Sequence, residues 1–380
     1  MIITFYFAIA LLLAYGILFQ YYSSWWKTVT DFTAADAAAQ PLSIKISVIV
    51  PARNEAANIA ACIHSIARQQ YPAHLFQLIV IDDNSTDKTF EIASSILYKN
   101  IQIICSRLPP VKNNTAPKKR AIEAGIALAS GTLIVTTDAD CIAGPNWLQN
   151  LAAFQQQTNH VFIAAPVKIT AGSSLLSKFQ ALDFLTMQGI TAAAVSKRFH
   201  HMCNGANLAY EKKVFYEVDG FTGIDSIASG DDMLLMNKVA EKYPQQLGFI
   251  KSTEAIVTTL PAASWKAFFQ QRIRWASKAT HYKQRGIFMV LLLVYLTNLL
   301  IFCFLLLGCF HKFALILFVL LCTAKFFMEL FFVKEVAAFF KQQHLVPWLL
   351  ILQPLHIIYI VVSGFLGQFK TYEWKGRKLK

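Results

Sequence analysis

The rhythm of hydrophobic and polar positions changes twice along the chain. From Ile2 to Tyr22 the residues are almost continuously apolar, and no charged side chain occurs before Lys27. A run of that length predicts a bilayer-spanning helix, with Tyr21, Tyr22, Trp25 and Trp26 as an interfacial aromatic belt. A cleaved signal peptide is the weaker reading, because no basic segment precedes the run and no small-residue cleavage site follows it closely. Short apolar runs then alternate with helical spacings. Ile46–Val50, Leu78–Ile81, Ile101–Cys105, Leu133–Thr137 and Val161–Val167 read as buried strands. Helical spacing appears at Ile59, Cys62, Ile63 and Ile66, around Phe90 to Leu97, over Lys118 to Ala129, from Pro145-Asn146-Trp147, over Ser174 to Val195, and after Asp232. Such alternation predicts an α/β domain built on a parallel, right-handed, doubly wound sheet.

Beyond residue 262 the pattern returns to long apolar stretches. Ser264 to Arg285 is amphipathic, setting Trp265, Phe268, Phe269, Ile273 and Trp275 against Lys266, Arg272, Arg274, Lys278, Lys283 and Arg285. A basic, aromatic helix of this kind lies in a membrane interface. Ile287–Phe310 carries no charge; Phe313–Val333 contains Lys325 and Glu329 one turn apart, a neutralising pair; Leu345–Phe369 is broken by Pro347 and Pro354. The predicted organisation is an anchor over 1–26, a linker over 27–44, a globular domain over 45–262, an interface helix over 263–286, a membrane region over 287–369 and a basic tail over 370–380. The tail's basic residues favour the cytoplasmic side, so one of the three late stretches is expected not to cross fully.

Composition sharpens the class. Hydrophobic residues make up 55% and charged residues 15%, with a net charge of +13. That is too apolar for a plain cytosolic enzyme, and the soluble-like middle disfavours a transporter. Excess Lys and Arg suit a cytoplasmic membrane face, while helix-turn-helix, RNA-stacking and zinc-finger signatures are lacking, so no nucleic-acid partner is expected. The seven cysteines show no CxxC spacing and read as reduced thiols. His200, His201 and Cys203 resemble half a zinc site with no second half.

The chemistry-bearing residues follow the predicted strands. Pro51-Ala52-Arg53-Asn54-Glu55 comes after the first, Asp82-Asp83-Asn84-Ser85-Thr86-Asp87 after the second, and Asp138-Ala139-Asp140 after the fourth. The C-terminal edge of a parallel sheet is where α/β proteins bind ligands. Two close carboxylates repel unless a cation sits between them, and hard oxygen ligands suit Mg²⁺ or Mn²⁺ beside substrate phosphates. Neither GxGxxG nor a Walker A sequence is present.

Taken in order, these pieces together with Lys118 to Gly125, Gly205-Ala206-Asn207, Gly230-Asp231-Asp232 and Gln271-Arg272-Ile273-Arg274-Trp275 resemble the membrane-bound family 2 glycosyltransferases, over roughly residues 45–286. The last piece is similar to that family's Gln-x-x-Arg-Trp element. Pro117 stands where a glycine is common, so the family's lysine falls on Lys118, with Lys119 the alternative. The resemblance implies a GT-A fold and inverting, metal-dependent hexosyl transfer from a nucleotide-diphosphate sugar, a UDP-sugar by preference. Pro51, Arg53, Glu55, Asp83, Lys118, Asp138 and Arg274 are then the expected donor-binding residues. Asp138 and Asp140 are the expected ligands of Mn²⁺ or Mg²⁺, and Asp232 is the expected base. Asp231, Gln271 and Trp275 are expected on the acceptor side.

The implied acceptor is lipid-linked or membrane-embedded, in envelope glycan or glycolipid synthesis. The implied location is the inner membrane, with the catalytic domain cytoplasmic. Two other readings are a processive polysaccharide synthase and a non-catalytic nucleotide-sugar-binding scaffold. Three late apolar stretches are few for an export channel, and a scaffold is expected to lack Asp140 or Asp232, both of which are present.

Overall fold

The computed structural model describes residues 2–35, 43–109, 116–227, 229–278, 285–369, 372–374 and 377–379. Its elements, in chain order, begin with α1 (Ile2–Thr28), β1 (Ile46–Ala52), α2 (Ile59–Ala67), β2 (Phe76–Asp82), α3 (Thr89–Ser95), β3 (Gln102–Arg107), α4 (Pro117–Leu128) and β4 (Leu133–Thr136). There follow β5 (Ile142–Ala143), α5 (Trp147–Thr158), β6 (Phe162–Ala164), β7 (Val167–Ile169), α6 (Leu175–Ser196), β8 (Leu208–Glu211), α7 (Lys212–Glu217) and α8 (Met233–Lys242). The rest comprises β9 (Leu247–Phe249), β10 (Val257–Thr259), α9 (Trp265–Ala276), α10 (Arg285–Gly308), α11 (Lys312–Phe339) and α12 (Trp348–Gly367). The chain divides into two compact units: one of Thr30–Lys168, His201–Leu260 and Trp374–Lys380, the other of Met1–Val29, Ile169–His200 and Pro261–Glu373.

The first unit is built on a seven-stranded sheet of order β3-β2-β1-β4-β8-β6-β9. β3, β2, β1 and β4 run parallel. β8 is antiparallel to both β4 and β6, and β9 is parallel to β6. The sheet is therefore mostly parallel, as expected, with β8 running against its neighbours. α5 returns the chain to β6 in the common direction, and β8 enters between β4 and β6 out of the loop that precedes it. Apolar, β-branched segments make the central strands: Val48, Ile49, Val50, Leu78, Ile79, Val80, Ile134 and Val135 are fully buried. Each such side chain contributes about 1.5–3 kcal/mol relative to exposure. α4 begins with Pro117 at its first position, where the missing N–H costs nothing.

The predicted strand Val161–Val167 is two strands. Pro166 has no N–H for a ladder bond, so β6 stops at Ala164 and β7 joins a separate three-stranded sheet of order β5-β10-β7.

The second unit gathers α1, α6, α9, α10, α11 and α12. Tyr6–Thr28, Gly286–Gly308, Lys312–Phe339 and Trp348–Leu366 are long and apolar enough to cross a membrane. Phe313, Phe327, Phe331, Ile351 and Phe365 are exposed, an outward apolar surface that suits lipid. Pro354 does not break the last stretch: it lies inside a continuous α12, as prolines do where neighbouring helices support the freed carbonyl. Pro347 is its N-cap. The interface helix is shorter than the predicted Ser264–Arg285. α9 is capped by the Ser264 hydroxyl, which accepts from Ala267 N at 3.2 Å, and it ends at Ala276; residues 279–284 lie outside the described residues.

Several polar groups in this unit pair with one another inside it. Lys325 Nζ is 2.6 Å from Glu329 and donates to Gln353 at 2.9 Å, while Tyr15 and Gln353 donate to Glu329. The predicted neutralising pair on α11 is thus formed and buried. Arg272 lies 2.7 Å from Asp183, whose other oxygen accepts from Tyr359 at 2.6 Å. His200 sits on the Tyr22 hydroxyl at 2.7 Å. Among the described residues no group of three or more His, Cys, Asp or Glu is placed to hold a metal.

Candidate active site

Register decides which residues share the C-terminal edge of the sheet. Ala52 of β1 lies opposite Asp82 of β2, and Ile49 lies opposite Thr136 of β4, so the segments from Arg53, Asp83 and Thr137 onward leave the same edge. β8 enters there because it is antiparallel: Leu208 pairs with Thr136, which brings Gly205 alongside the end of β4. Thr136 Oγ1 donates to Gly205 O at 3.4 Å. The three strand-end clusters read from the sequence and the Gly205-Ala206-Asn207 loop are therefore neighbours by topology.

Four charged groups from three elements converge beside Gly205. Lys118, in the first turn of α4, places Nζ 2.7 Å from Asp138 Oδ1 and 3.2 Å from Asp231 Oδ2. Burial works against the charge on Lys118, but Asp138, Asp231 and Asp232 outweigh it and hold the ammonium above its ordinary pKa. Asp232 is the N-cap of α8: Oδ1 accepts from Met233 N at 2.7 Å and Oδ2 accepts from Gly205 N at 3.1 Å. A Cβ on Gly205 comes within 3.0 Å of Asp231 Oδ2 and 3.1 Å of Lys118 Nζ, so glycine lets the loop approach this closely without displacing either group. Gly230, at φ +80°, makes the turn that puts two aspartates at the start of α8.

Asp140 stands two residues beyond Asp138, beside the Cys141 thiol, which lies 3.6 Å from Asp140 Oδ1. Cys62 contacts the carbonyl of Asp138 at 3.6 Å. Burial first, then Asp140 and Asp138, push both thiols up, so they remain protonated and are not nucleophiles. Asp138 and Asp140 supply the hard oxygen donors that Mg²⁺ or Mn²⁺ takes, and these ions are usually held by one or two carboxylates with substrate phosphates completing the shell. The pair fits such an ion.

The loops after β1 and β2 brace one another. Arg53 Nη1 donates to the carbonyls of Asp83 at 2.5 Å and Asn84 at 2.8 Å. Asn54 N donates to Ser85 Oγ, Thr86 N to Asn54 Oδ1, and Glu55 N to Thr89 Oγ1. Asn54 and Asn84 both sit at positive φ, where asparagine is the usual non-glycine occupant. Asp87 titrates below its ordinary value: slight burial opposes this, but bonds from the Thr89 hydroxyl and the Ala56 and Thr89 amides prevail. Glu55 accepts from Asn58 Nδ2 at 2.8 Å, and the half-buried Pro51 stays within β1. Asp83 is buried, its amide bonded to Ala52 O. Asp82, read from the sequence as a turn residue, carries Arg107 on its carboxylate at 2.8 Å.

Lys118 and Lys119, left as alternatives by the sequence, divide: Lys118 faces the aspartates, and Lys119 is buried among backbone carbonyls. Asn207 is structural, joining Trp147 Nε1, Pro166 O and Ala255 O. Gln271, Arg274 and Trp275 belong to the other unit. There Arg272, read only as part of the basic face of the interface helix, is the buried member. Its guanidinium lies over the Trp275 ring at 4.2 Å and on Asp183, and the 3.6-residue period cannot tell which of two arginines turns inward when the receiving carboxylate is on α6.

Comparison with known proteins agrees with this geometry. Residues 47–219 match the family described as Glycosyl transferase family 2. Glycosyltransferase AglE of Haloferax volcanii is 27% identical over 192 residues, covering 50% of this chain and 59% of that protein. Probable glycosyltransferase YdaM of Bacillus subtilis is 26% identical over 244 residues, 61% of this chain and 54% of that one. The chain thus spans little more than half the length of these relatives. The solved mannosyltransferase PcManGT of Pyrobaculum calidifontis, in complex with GDP-Man and Mn²⁺, superposes with a TM-score of 0.56 at 18% identity, covering 94% of this chain and 97% of that one. Sheet order, strand-end aspartates and family match converge on residues 47–219, which match Glycosyl transferase family 2 within a domain of GT-A-like fold, and the chain also has helices apolar enough to cross a membrane.

Proposed function

We propose that the protein transfers a sugar, with inversion, from a UDP-sugar to a lipid-linked or membrane-embedded acceptor in envelope glycan or glycolipid synthesis. The observation that carries the reading is Lys118 lying between Asp138 and Asp231, with Asp232 held on Gly205 beside them. A strand-end carboxylate, a helix-start carboxylate and a cation meet at the sheet edge where a nucleotide diphosphate is bound in α/β proteins.

In this reading Asp83 accepts from the uracil N–H, and Arg53 and Glu55 hold the two loops that shape the base and ribose site. Asp138 and Asp140 would hold Mg²⁺ or Mn²⁺, which would supply positive charge where the diphosphate departs. Lys118 adds its ammonium on the same side. Asp232 takes the proton from the acceptor hydroxyl, whose oxygen bonds to the anomeric carbon as the bond to diphosphate breaks. One base and no covalent intermediate are needed. Asp231 keeps Lys118 in place. Gln271, Arg274 and Trp275 are assigned to the diphosphate and the acceptor sugar on the resemblance of their Gln-x-x-Arg-Trp pattern, and the aromatic, basic α9 suits a membrane surface. The basic excess puts the domain on the cytoplasmic face of the inner membrane.

The test is a panel of nucleotide sugars given to the purified, detergent-solubilised protein with membrane lipid extract, reading nucleotide release. UDP release that rises on adding lipid is expected. Release from GDP-sugars alone removes the uridine assignment, and equal use of a soluble free sugar removes the lipid acceptor.

A further inference from the structure

The segment before Gly230-Asp231-Asp232 is long and irregular, yet those two aspartates must be placed to within a fraction of an ångström. Among the described residues between α7 and α8 no strand fixes it. Its backbone carbonyls are turned onto lysines instead. Lys119 Nζ donates to Ile224 O at 2.5 Å, Ile227 O at 2.8 Å and Ser229 O at 3.2 Å, and only 2% of Lys119 is exposed. Three carbonyls use all three ammonium protons. Lys238 of α8 grips the start of the segment, donating to Gly220 O at 2.7 Å, Thr222 O at 2.9 Å and Asp219 O at 3.4 Å.

The same face of α4 adds two more contacts. Ala116 N donates to Asp225 O at 2.8 Å, and Glu123 accepts from Phe221 N. Positions 116, 119 and 123 follow helical spacing, so one stripe of α4 holds the segment while the adjacent Lys118 reaches Asp138 and Asp231. A buried ammonium is costly unless fully bonded, so a lysine at this position needs a backbone that gives it three carbonyls.

We propose that Lys119 is the positioning residue of the acceptor side: by holding the carbonyls of Ile224, Ile227 and Ser229 it sets Asp231 and Asp232 against Lys118 and Gly205. The proposal rests on the transfer reading above for its activity readout. α4 then couples two jobs through adjacent residues: Lys118 meets the carboxylates directly, and Lys119 holds the backbone that delivers them.

The test is Lys119→Met, which keeps the length of the buried chain and removes the donors. Transfer kcat is expected to fall roughly 10- to 100-fold while donor Kd stays within about twofold, since a small misplacement of a reacting group lowers the rate without touching ground-state binding of the donor. Amide hydrogen exchange over residues 229–236 is expected to speed up, with the β1–β2–β4 amides unchanged. Lys119→Arg, which also carries several donors, is expected to restore part of both.

Transfer within about twofold of wild type, donor affinity lost in step with transfer, or unchanged exchange over 229–236 overturns the proposal. Should Lys119→Met fail to fold, Lys238→Met loosens the other end of the same segment from a half-exposed site, and the same split is expected; its absence there counts equally against the clamp. A wild-type protein that releases nucleotide from no nucleotide sugar defeats the transfer reading, and the exchange measurement then decides the clamp by itself.

Discussion

Lys118 Nζ and Asp138 Oδ1 lie 2.7 Å apart, and the same ammonium reaches Asp231 Oδ2 at 3.2 Å. One cation therefore serves a carboxylate assigned to the donor side and one assigned to the acceptor side. Lys118→Met leaves these carboxylates facing one another. The variant is expected to melt several degrees below wild type and to regain much of the loss in millimolar Mn²⁺ or Mg²⁺, because a bound cation stabilises by mass action. A melting temperature that ignores both the substitution and the ion counts against the cluster.

The sign of the pH dependence follows from the same contacts. The folded-state pKa of Lys118 is raised above its ordinary value of about 10.4. The stabilisation it gives is fully present below that ordinary value and is lost as pH climbs through the folded value. Comparing alkaline unfolding of wild type with Lys118→Met isolates this component: the difference between them is expected to be constant up to about pH 10 and to shrink above it.

Metal dependence separates binding from chemistry. Excess chelator is expected to abolish transfer, and Mn²⁺ or Mg²⁺ to restore it. Asp140→Ala is expected to lose metal-dependent donor binding, and transfer with it by about 10² or more, as the loss of several kcal/mol of charge stabilisation requires. Activity unchanged in chelator would sink the assignment of Asp138 and Asp140.

Asp232→Asn gives the opposite split. Asparagine retains an oxygen for the Met233 or Gly205 amide, so α8 keeps a cap. It cannot take a proton. Transfer is expected to fall by ~10²–10⁴ with donor affinity within a few-fold. If donor binding is lost instead, Asp232 belongs to the donor site and Asp231 becomes the base to test.

Gly205→Ala probes the close approach. Its methyl group arrives 3.0 Å from Asp231 Oδ2 and 3.1 Å from Lys118 Nζ, so these two groups must each give by a few tenths of an ångström. A stability cost of about 1–3 kcal/mol is expected, together with a transfer loss larger than that cost explains. Calorimetry and initial rates on one preparation check both.

The central strands were legible because their information is local. Val48 to Val50 and Leu133 to Val135 are apolar, β-branched and bounded by polar turns, and the aspartates sit where strands end. Pro51, Arg53 and Glu55 were legible as a cluster, but not in detail: the Arg53 guanidinium holds the Asp83 and Asn84 carbonyls. What escaped the sequence depends on partners far along the chain. Nothing near Lys118-Lys119 says which lysine faces the aspartates, because the choice is made by residues 224–229. Nothing near Arg272-Ile273-Arg274 reveals that Arg272 turns to Asp183. The antiparallel entry of β8 was hidden likewise, since a strand's direction is set by its connection and leaves no mark on its own residues.

The two buried ion pairs of the helical unit differ in one respect that bears on how it is made. Lys325 and Glu329 lie one turn apart on α11, so that helix carries its own counter-ion as it emerges from the ribosome. It can enter a lipid phase before α1 brings Tyr15 or α12 brings Gln353. Asp183 and Arg272 sit on α6 and α9, with β8 and α8 translated between them. Their neutralisation waits until residues 201–260 and then α9 have been made. In the membrane reading proposed above, α11 can therefore enter lipid already neutralised, whereas α6 emerges with a carboxylate whose partner arrives only with α9.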